Sequence, residues 1–300
     1  METGWLAERF EEQRPRLRAV AYRMLGSLTE AEDAVQDAWI RVSRAGTTDV
    51  ENIGGWLTTV VARICLNLLR SRRTRREELV GLALPDPVVG PDGELMPEEQ
   101  MLLADSVGLA MLVVLDTLPP AERLAFVLHD VFDIPFEEIA PIVGRTPTAA
   151  RQLASRGRRR VKGAGVPRPE ADRSRQRAVV DAFFSAARKG DFDGLMAVLD
   201  PEVVLRSDFG AGRAPVPAVI RGAAGVAGQA LLGAALPSAT LHPALVNGSA
   251  GVVVTVRGRP FAVMGFVISE GRIVEIDAIA DPDRVGRIAG SVLGPRPQPG

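Results

Sequence analysis

Residues Phe136–Lys162 read FEEIAPIVGRTPTAARQLASRGRRRVK: a short apolar-patterned segment, a glycine, then a longer segment ending in cationic charge. Thr146 is a helix N-cap residue type, and Pro147 just after it loses only a backbone donor that a first helical turn leaves unpaired anyway. A helix therefore starts there. Ala150, Leu153, Ala154, Gly157 and Val161 fall on one face at steps of three and four, with Thr148, Arg151, Gln152, Ser155, Arg156 and Arg159 on the other. The second set is chemically a reading face. Arg can bond a guanine edge twice, Gln an adenine edge, and Ser and Thr either, while Arg158, Arg160 and Lys162 suit phosphates. No acidic residue interrupts Gly144–Gly165. Short helix, glycine turn and capped basic helix together predict a helix-turn-helix and point to DNA; a solvated basic helix closing an ordinary bundle is the alternative. Two residues strain the pattern. Pro141 is expected to distort the last turn of the first helix, and Gly157 costs about 1 kcal/mol relative to Ala in a helix interior.

Outward from this segment, the composition permits DNA binding without suggesting it. The chain has 300 residues, 36 Lys and Arg against 37 Asp and Glu, so near-zero formal charge conceals local asymmetry and the length implies two or three domains. The one cysteine, Cys65, offers no intramolecular disulfide or cysteine metal cluster, and it sits in the apolar stretch Val60–Leu69, as a small core residue would. No apolar run reaches the roughly 20 residues that span a bilayer. The start, METGWLAERFEEQ, is too charged for a signal peptide. A cytoplasmic protein with no membrane partner, metal or cofactor is expected.

Three compositional blocks are expected. Residues 1–77 read as helices: one up to Gly26, one opened by a Thr29/Glu32 capping box and running to about Arg44, and one from Gly55 to about Arg76. The segment 78–105, including LVGLALPDPVVGPDGELMP, lacks a regular period and reads as a linker. A second helical block carries the helix-turn-helix, at 106–165. After the hinge GAGVPRPE the pattern turns α+β over 172–290, with helices at about Ala171–Arg188 and Phe192–Val198 and strands at Val203–Arg206, Ala250–Arg257, Phe261–Ser269 and Ile273–Ala280. Residues 291–300, ending PRPQPG, read as a disordered tail.

Two further surfaces stand out in the first block. Glu30, Glu32, Asp33, Gln36 and Asp37 give the helix TEAEDAVQDAW an acidic, partner-like face, although acids near a helix N-terminus also answer the helix dipole. In WLTTVVARICLNLLRSRRTRR, Arg63, Asn67 and Arg70 share a side and lead into Arg72, Arg73, Arg75 and Arg76. That stripe suits a nucleic-acid backbone, or a basic helix end favoured by the same dipole.

The order of RPRLRAVAYRMLGSLTEAEDAVQDAWIRV, GGWLTTVVARICLNLLRSRR and LPPAERLAFVLHDVFDIPFEEIAPIVGRTPTAARQLASRGRRRV closely resembles regions two and four of bacterial extracytoplasmic-function (ECF) sigma factors. The remainder resembles a SnoaL-like domain of the NTF2 superfamily, an α+β cone that one group of these factors carries at the C-terminus. ALPDP, SDFGAGR and DPDRV resemble that group's motifs, with Ala83 where the group has Trp, Asp208-Phe209 where it has Asp-Gly, and Asn67 where it often has Asp. The resemblance implies a multidomain chain, two all-α sigma domains followed by the α+β cone, that binds core RNA polymerase and promoter DNA. Asp33, Gln36 and Asp37 would dock on polymerase. The Thr47–Trp56 loop and the helix with Arg63, Asn67, Arg70, Arg72 and Arg73 would hold the melted minus-10 strand. Thr148, Arg151, Gln152, Ser155, Arg156 and Arg159 would enter the major groove of the minus-35 element. The cone would regulate in cis, with Asp208 and Arg213 and the chain-end Asp281, Asp283 and Arg284 meeting Leu84, Pro85 and Pro87 of the linker. No anti-sigma factor and no small-molecule ligand can be inferred.

The rival is an enzyme, because SnoaL-like folds also host cyclases and isomerases. Its candidates are Arg206, Asp208, His242 and Asp277, but His129 and His242 are the only histidines and no spacing demands a shared acid/base site. His242, before Pro243, is expected in a loop or at a strand end. An open, polar cone interior would favour the enzyme; one filled with apolar side chains would not.

Overall fold

The computed structural model describes residues 2–45, 52–76, 84–93, 108–165, 167, 169–210 and 219–294. It divides by internal contacts into two units, Met1–Val80 with Met111–Val166, and Gly81–Ala110 with Pro167–Gly300.

The described part of the first unit is helical: α1 (Glu2–Leu25), α2 (Leu28–Ala45), α3 (Ile53–Arg76), α4 (Leu109–Asp116, whose first two residues fall to the other unit), α5 (Pro120–Phe126), α6 (Phe136–Val143) and α7 (Pro147–Gly163). A π-helical turn at Val127–Val131 extends α5. Apolar positions of α1–α3 recur at helical spacing and meet in a core that includes Leu17, Val35, Val61 and Cys65, all fully buried. Burial pushes the Cys65 thiol up to about 12, which leaves it inert as a nucleophile. The capping box does not form. Ser27 Oγ accepts from Glu30 N at 3.4 Å, while Glu32 reaches out to Arg14 and Arg18 at 2.9 and 2.8 Å. Ion pairing with α1 competes with local capping and wins.

The helix-turn-helix forms as the sequence predicts. Gly144 closes α6 at φ 67°, a left-handed conformation that glycine adopts without strain, and Thr146 Oγ1 accepts from Ala149 N at 3.3 Å to open α7. Pro141 is carried within α6. Gly157 has a packing reason: a Cβ there would lie 3.0 Å from Phe126 Cβ and 3.1 Å from the Glu122 carbonyl oxygen. Gly157→Ala is thus expected to destabilise this unit by about 1–3 kcal/mol through overpacking, reversing the usual helix preference. A higher melting temperature for the variant would refute that packing.

The second unit is a seven-stranded sheet of order β1-β4-β5-β6-β7-β2-β3. Its elements are β1 (Val89–Pro91), α8 (Arg173–Lys189), α9 (Phe192–Val198), β2 (Leu199–Asp208), β3 (Val219–Arg221), α10 (Ala223–Ala234), β4 (Ala239–Val246), β5 (Ser249–Val256), β6 (Arg259–Ser269), β7 (Arg272–Ile279), α11 (Pro282–Ile288) and α12 (Gly290–Leu293). Helices α8, α9 and α10 cover one face of the sheet in an apolar core built from Val180, Phe183, Leu195, Leu205, Val252 and Phe266 with their neighbours. Phe183, Phe184 and Phe266 meet edge-on at 5.2–5.9 Å between centroids. Two expectations are corrected. The linker is not free of regular structure, since Val89–Pro91 pairs antiparallel with Ala244–Val246 as an added edge strand. The expected tail begins too early, because Gly290–Leu293 is helical and Ser291 Oγ donates to the Val89 carbonyl at 2.7 Å; residues 295–300 lie outside the described residues.

Candidate nucleic-acid interface

The two faces of α7 separate as the helical period requires. Ala150, Ala154 and Gly157 are buried and Leu153 and Val161 half-buried, while Thr148, Arg151, Gln152, Arg156 and Arg159 are exposed and Ser155 is half-buried. The basic residues do not all stand alone. Arg158 pairs with Asp130 at 2.6 Å and Arg160 with the buried Glu122 at 3.1 Å, so both carboxylates lie on α5 and its π-helical extension. Arg158 and Arg160, assigned to phosphates from sequence, thus also fasten α7 to its own domain.

On α2, Asp33 and Gln36 are exposed and the half-buried Asp37 holds Arg41 one turn on at 2.7 and 3.1 Å. Ile40, 41% exposed, extends the same face by one turn. The sequence reading passed over it because a single apolar residue among charges carries no periodic signal. On α3, Arg63, Asn67 and Arg70 are exposed. Arg72 instead donates to the Leu25 carbonyl at 3.0 Å and pairs with Glu30, so it ties α3 to the α1–α2 corner. The side chain of Arg73 and residues 47–51 of the expected strand-holding loop lie outside the described residues.

Within this unit α1 and α3 contact α5, its π-helical extension and α6. Arg123 of α5, fully buried, donates to the Arg23 carbonyl at 3.1 Å and pairs with Asp116 at 3.0 Å. Arg23 places its guanidinium 5.1 Å from the centre of the Phe132 ring, and Arg63 donates to the Pro141 carbonyl at 3.4 Å.

In the second unit, residues 84–90 are buried and clasped along the cone. Arg284 is the hub. It donates to Asp86 Oδ1 at 2.7 and 2.9 Å, to the Leu84 carbonyl at 2.7 Å and to Asp208 Oδ2 at 2.5 Å. Asp208 Oδ2 also accepts from Leu84 N at 2.9 Å. Burial alone would lower the Arg284 guanidinium, but the charges and bonds of Asp86 and Asp208 hold it above its ordinary value. Further along, Asn247 bonds Val88 through both its backbone N–H and its side-chain oxygen, and Arg177 pairs with Asp92 at 2.7 Å. Leu84, Asp208 and Arg284 therefore come together as the sequence suggested, with Pro85 and Pro87 buried beside them. Asp281 and Asp283 do not join. Asp281 caps α11 by accepting from Asp283 N and Arg284 N at 3.0 and 3.2 Å, and Asp283 is exposed. Gly210 meets Asp281 closely, at φ 77° where a Cβ would collide with the carboxylate, and Arg213 lies outside the described residues. Asp86, Arg177 and Asn247 were missed. Asn247-Gly248, both at positive φ, is a two-residue hairpin signal, and it would have located β4 and β5.

The enzyme candidates share the sheet face opposite the apolar core. Val203, Leu205 and Ile276 point into the core, so strand alternation puts Arg206, Glu275 and Asp277 on the other side. His242 lies mid-strand, not at a strand end, with Nε2 at 3.0 Å from Thr255 Oγ1. Arg206 bonds Glu275 at 3.1 Å and Asp277 at 3.0 Å. Burial pushes the Asp277 carboxyl up to about 6, partly countered by Arg206.

Sigma-70 region 2 matches residues 9–75 and Sigma-70, region 4 matches residues 109–161. The ECF RNA polymerase sigma factor SigJ of Mycobacterium tuberculosis is 35% identical over 298 residues, covering 92% of this chain and 91% of its own. The chain belongs to the ECF RNA polymerase sigma factors. Probable ECF RNA polymerase sigma factor SigI of the same organism is 33% identical over 275 residues, covering 92% of this chain and 93% of its own. The crystal structure of SigJ superposes on this sigma factor with a TM-score of 0.74 at 33% identity, covering 96% of this chain and all of that one. In this sigma factor α1–α3 form region 2 and α4–α7 region 4, followed by the α+β cone. No described helix is long and apolar enough to cross a membrane.

Proposed function

We propose that this sigma factor docks on core RNA polymerase through Asp33, Gln36 and Asp37, holds the minus-10 strand with the α3 stripe and reads the minus-35 element with α7. The domains run at 1–77 and 106–165, with the linker 78–105 between them and the cone at 172–290. The separation of the two α7 faces carries this reading: an unbroken polar face of base-reading residue types is presented while its apolar face is spent on packing. Catalysis has no part in it. The acid/base candidates lie on the sheet face opposite the apolar core, with Arg206, Asp208 and Asp277 in ion pairs and His242 hydrogen-bonded to Thr255, and the side covered by α8–α10 is apolar.

The contact between regions 2 and 4 has to break for promoter binding. Elements at minus-10 and minus-35 lie about 25 base pairs apart, on the order of 85 Å at about 3.4 Å each. Side chains within hydrogen-bond reach cannot serve both sites at once. The linker joins the two regions and is clasped by the cone, so the cone is placed to control that opening. In vitro transcription with core polymerase, comparing the full chain with one ending at Gly165, tests this: unaltered polymerase affinity, promoter affinity and yield would make the cone a passenger.

Charge reversal of Asp33 and Asp37 together is expected to weaken the polymerase complex at least tenfold while region 2 stays folded, because neither carboxylate is buried. Equal polymerase affinity in a pull-down titration would refute the assignment. On α7, Arg151→Ala should change preference at a particular minus-35 base by about 1–3 kcal/mol. Arg160→Ala should instead weaken binding to all sequences and shallow the salt dependence by about one unit if it meets a phosphate. A uniform loss in both variants across a promoter library would overturn the division into readers and positioners.

A further inference from the structure

We infer that Phe136, at the start of α6, is the positioning residue that orders Arg151 for base reading and so sets the sharpness of minus-35 specificity. This rests on the reading of α7 as the minus-35 helix. The Arg151 guanidinium carbon lies 5.3 Å from the centre of the Phe136 ring. The same ring stacks against His129 at 3.9 Å between centroids, tilted by 33°. His129 is itself fixed, since its Nδ1 lies 3.1 Å from the Ile134 carbonyl within the turn that leads from the π-helical segment into α6. Phe136 is 8% exposed, so the ring cannot swing away, whereas Arg151 is exposed.

An exposed arginine on a reading helix ordinarily loses several free torsions when it meets a base edge, and that loss subtracts from the discrimination its two hydrogen bonds provide. A guanidinium resting on an aromatic face is already confined while its N–H groups remain available in plane to bond a guanine edge in two places. Arg156 and Arg159 on the same face have no such ring in the described residues. The other arginine over a ring there, Arg23 on Phe132, is fully buried. The aromatic opening of α6 thus couples the first helix of the helix-turn-helix to base choice by the second.

The test uses holoenzyme reconstituted from core polymerase and the full chain, bound to duplex promoters with randomised minus-35 bases, with thermal melting as a fold control. Phe136→Leu should lose roughly fivefold in preference at the base Arg151 reads, with affinity for a scrambled minus-35 sequence changed less than twofold. Phe136→Tyr should retain the preference, because the ring is kept. Adding Phe136→Leu to Arg151→Ala should cost no further preference, as expected if the ring acts only through the arginine. Should Phe136→Leu not fold, Phe136→Met against Phe136→Tyr makes the same comparison of ring lost with ring kept. A folded, ring-less variant that keeps full preference, or that loses affinity equally for every sequence, overturns the proposal while leaving the α7 assignment intact. If Arg151→Ala leaves base preference unchanged, the α7 assignment fails and this proposal with it.

Discussion

Arg206→Ala is expected to lower the unfolding free energy of the C-terminal cone by about 3–5 kcal/mol, because it removes one partner from a buried ionic cluster. Arg206 and Asp277 are directly opposite on the parallel strands β2 and β7, and Glu275 sits one same-face position away. Asp277 is 3% exposed and the arginine bonds both carboxylates, so its loss leaves two acids facing each other with little water. The deficit should depend on pH. Burial already raises the Asp277 carboxyl to about 6 from an unfolded value near 3.8, so the folded state holds more protons between those values. Its contribution to stability is therefore full below about pH 4 and falls as pH rises through about 6. Without Arg206 the carboxyl rises further, so the variant should be closer to the parent at pH 5 than at pH 8. Denaturant titrations of the full chain at the two pH values measure this. A deficit below 1 kcal/mol at pH 8 would falsify the buried-cluster account.

Arg284→Ala is expected to cost about 2–4 kcal/mol and to release the linker, since one guanidinium fastens Leu84, Asp86 and Asp208 together. Asp208, 4% exposed, would then face Asp86 with only its bonds to Leu84 N and Gly210 N. Limited proteolysis should cut near residues 84–92 at least tenfold faster, and transcription from a cognate promoter should change several-fold, because the segment joining regions 2 and 4 is no longer held. Asp208→Asn should be milder, since an amide oxygen still accepts from Leu84. Unchanged cleavage in Arg284→Ala would mean that β1 pairing and Asn247 hold the linker without the arginine. A released linker with unchanged transcription would separate the clasp from regulation.

What could be read in the chain without the structure was whatever neighbouring residues decide among themselves. Thr146, Pro147 and the three-and-four spacing from Ala150 to Val161 set the start and the buried face of α7 within one helix, and the Phe192–Val198 helix forms with the bounds its sequence predicts. The apolar runs of β5, β6 and β7 likewise announce themselves, because a strand inside a sheet is buried along much of its length. The same local logic misplaced the α2 cap. Thr29 and Glu32 have the right spacing, but Glu32 gains more from two arginines on α1 than from the backbone at its own helix start.

The tertiary structure alone decided the rest. Val89–Pro91 is three residues with no period, and it is a strand only because the edge of β4 offers unpaired backbone groups that it can satisfy. Arg284 and Asp86 are 198 residues apart and Asn247 and Val88 159, Arg177 reaches back from α8 to Asp92, and no local pattern encodes these pairings. The sequence shows that Arg151 belongs to a reading face, since helical period places it there. That a phenylalanine fifteen residues earlier lies against it follows from the angle at which two helices pack, which is set by side-chain interdigitation across the turn and not by either helix alone.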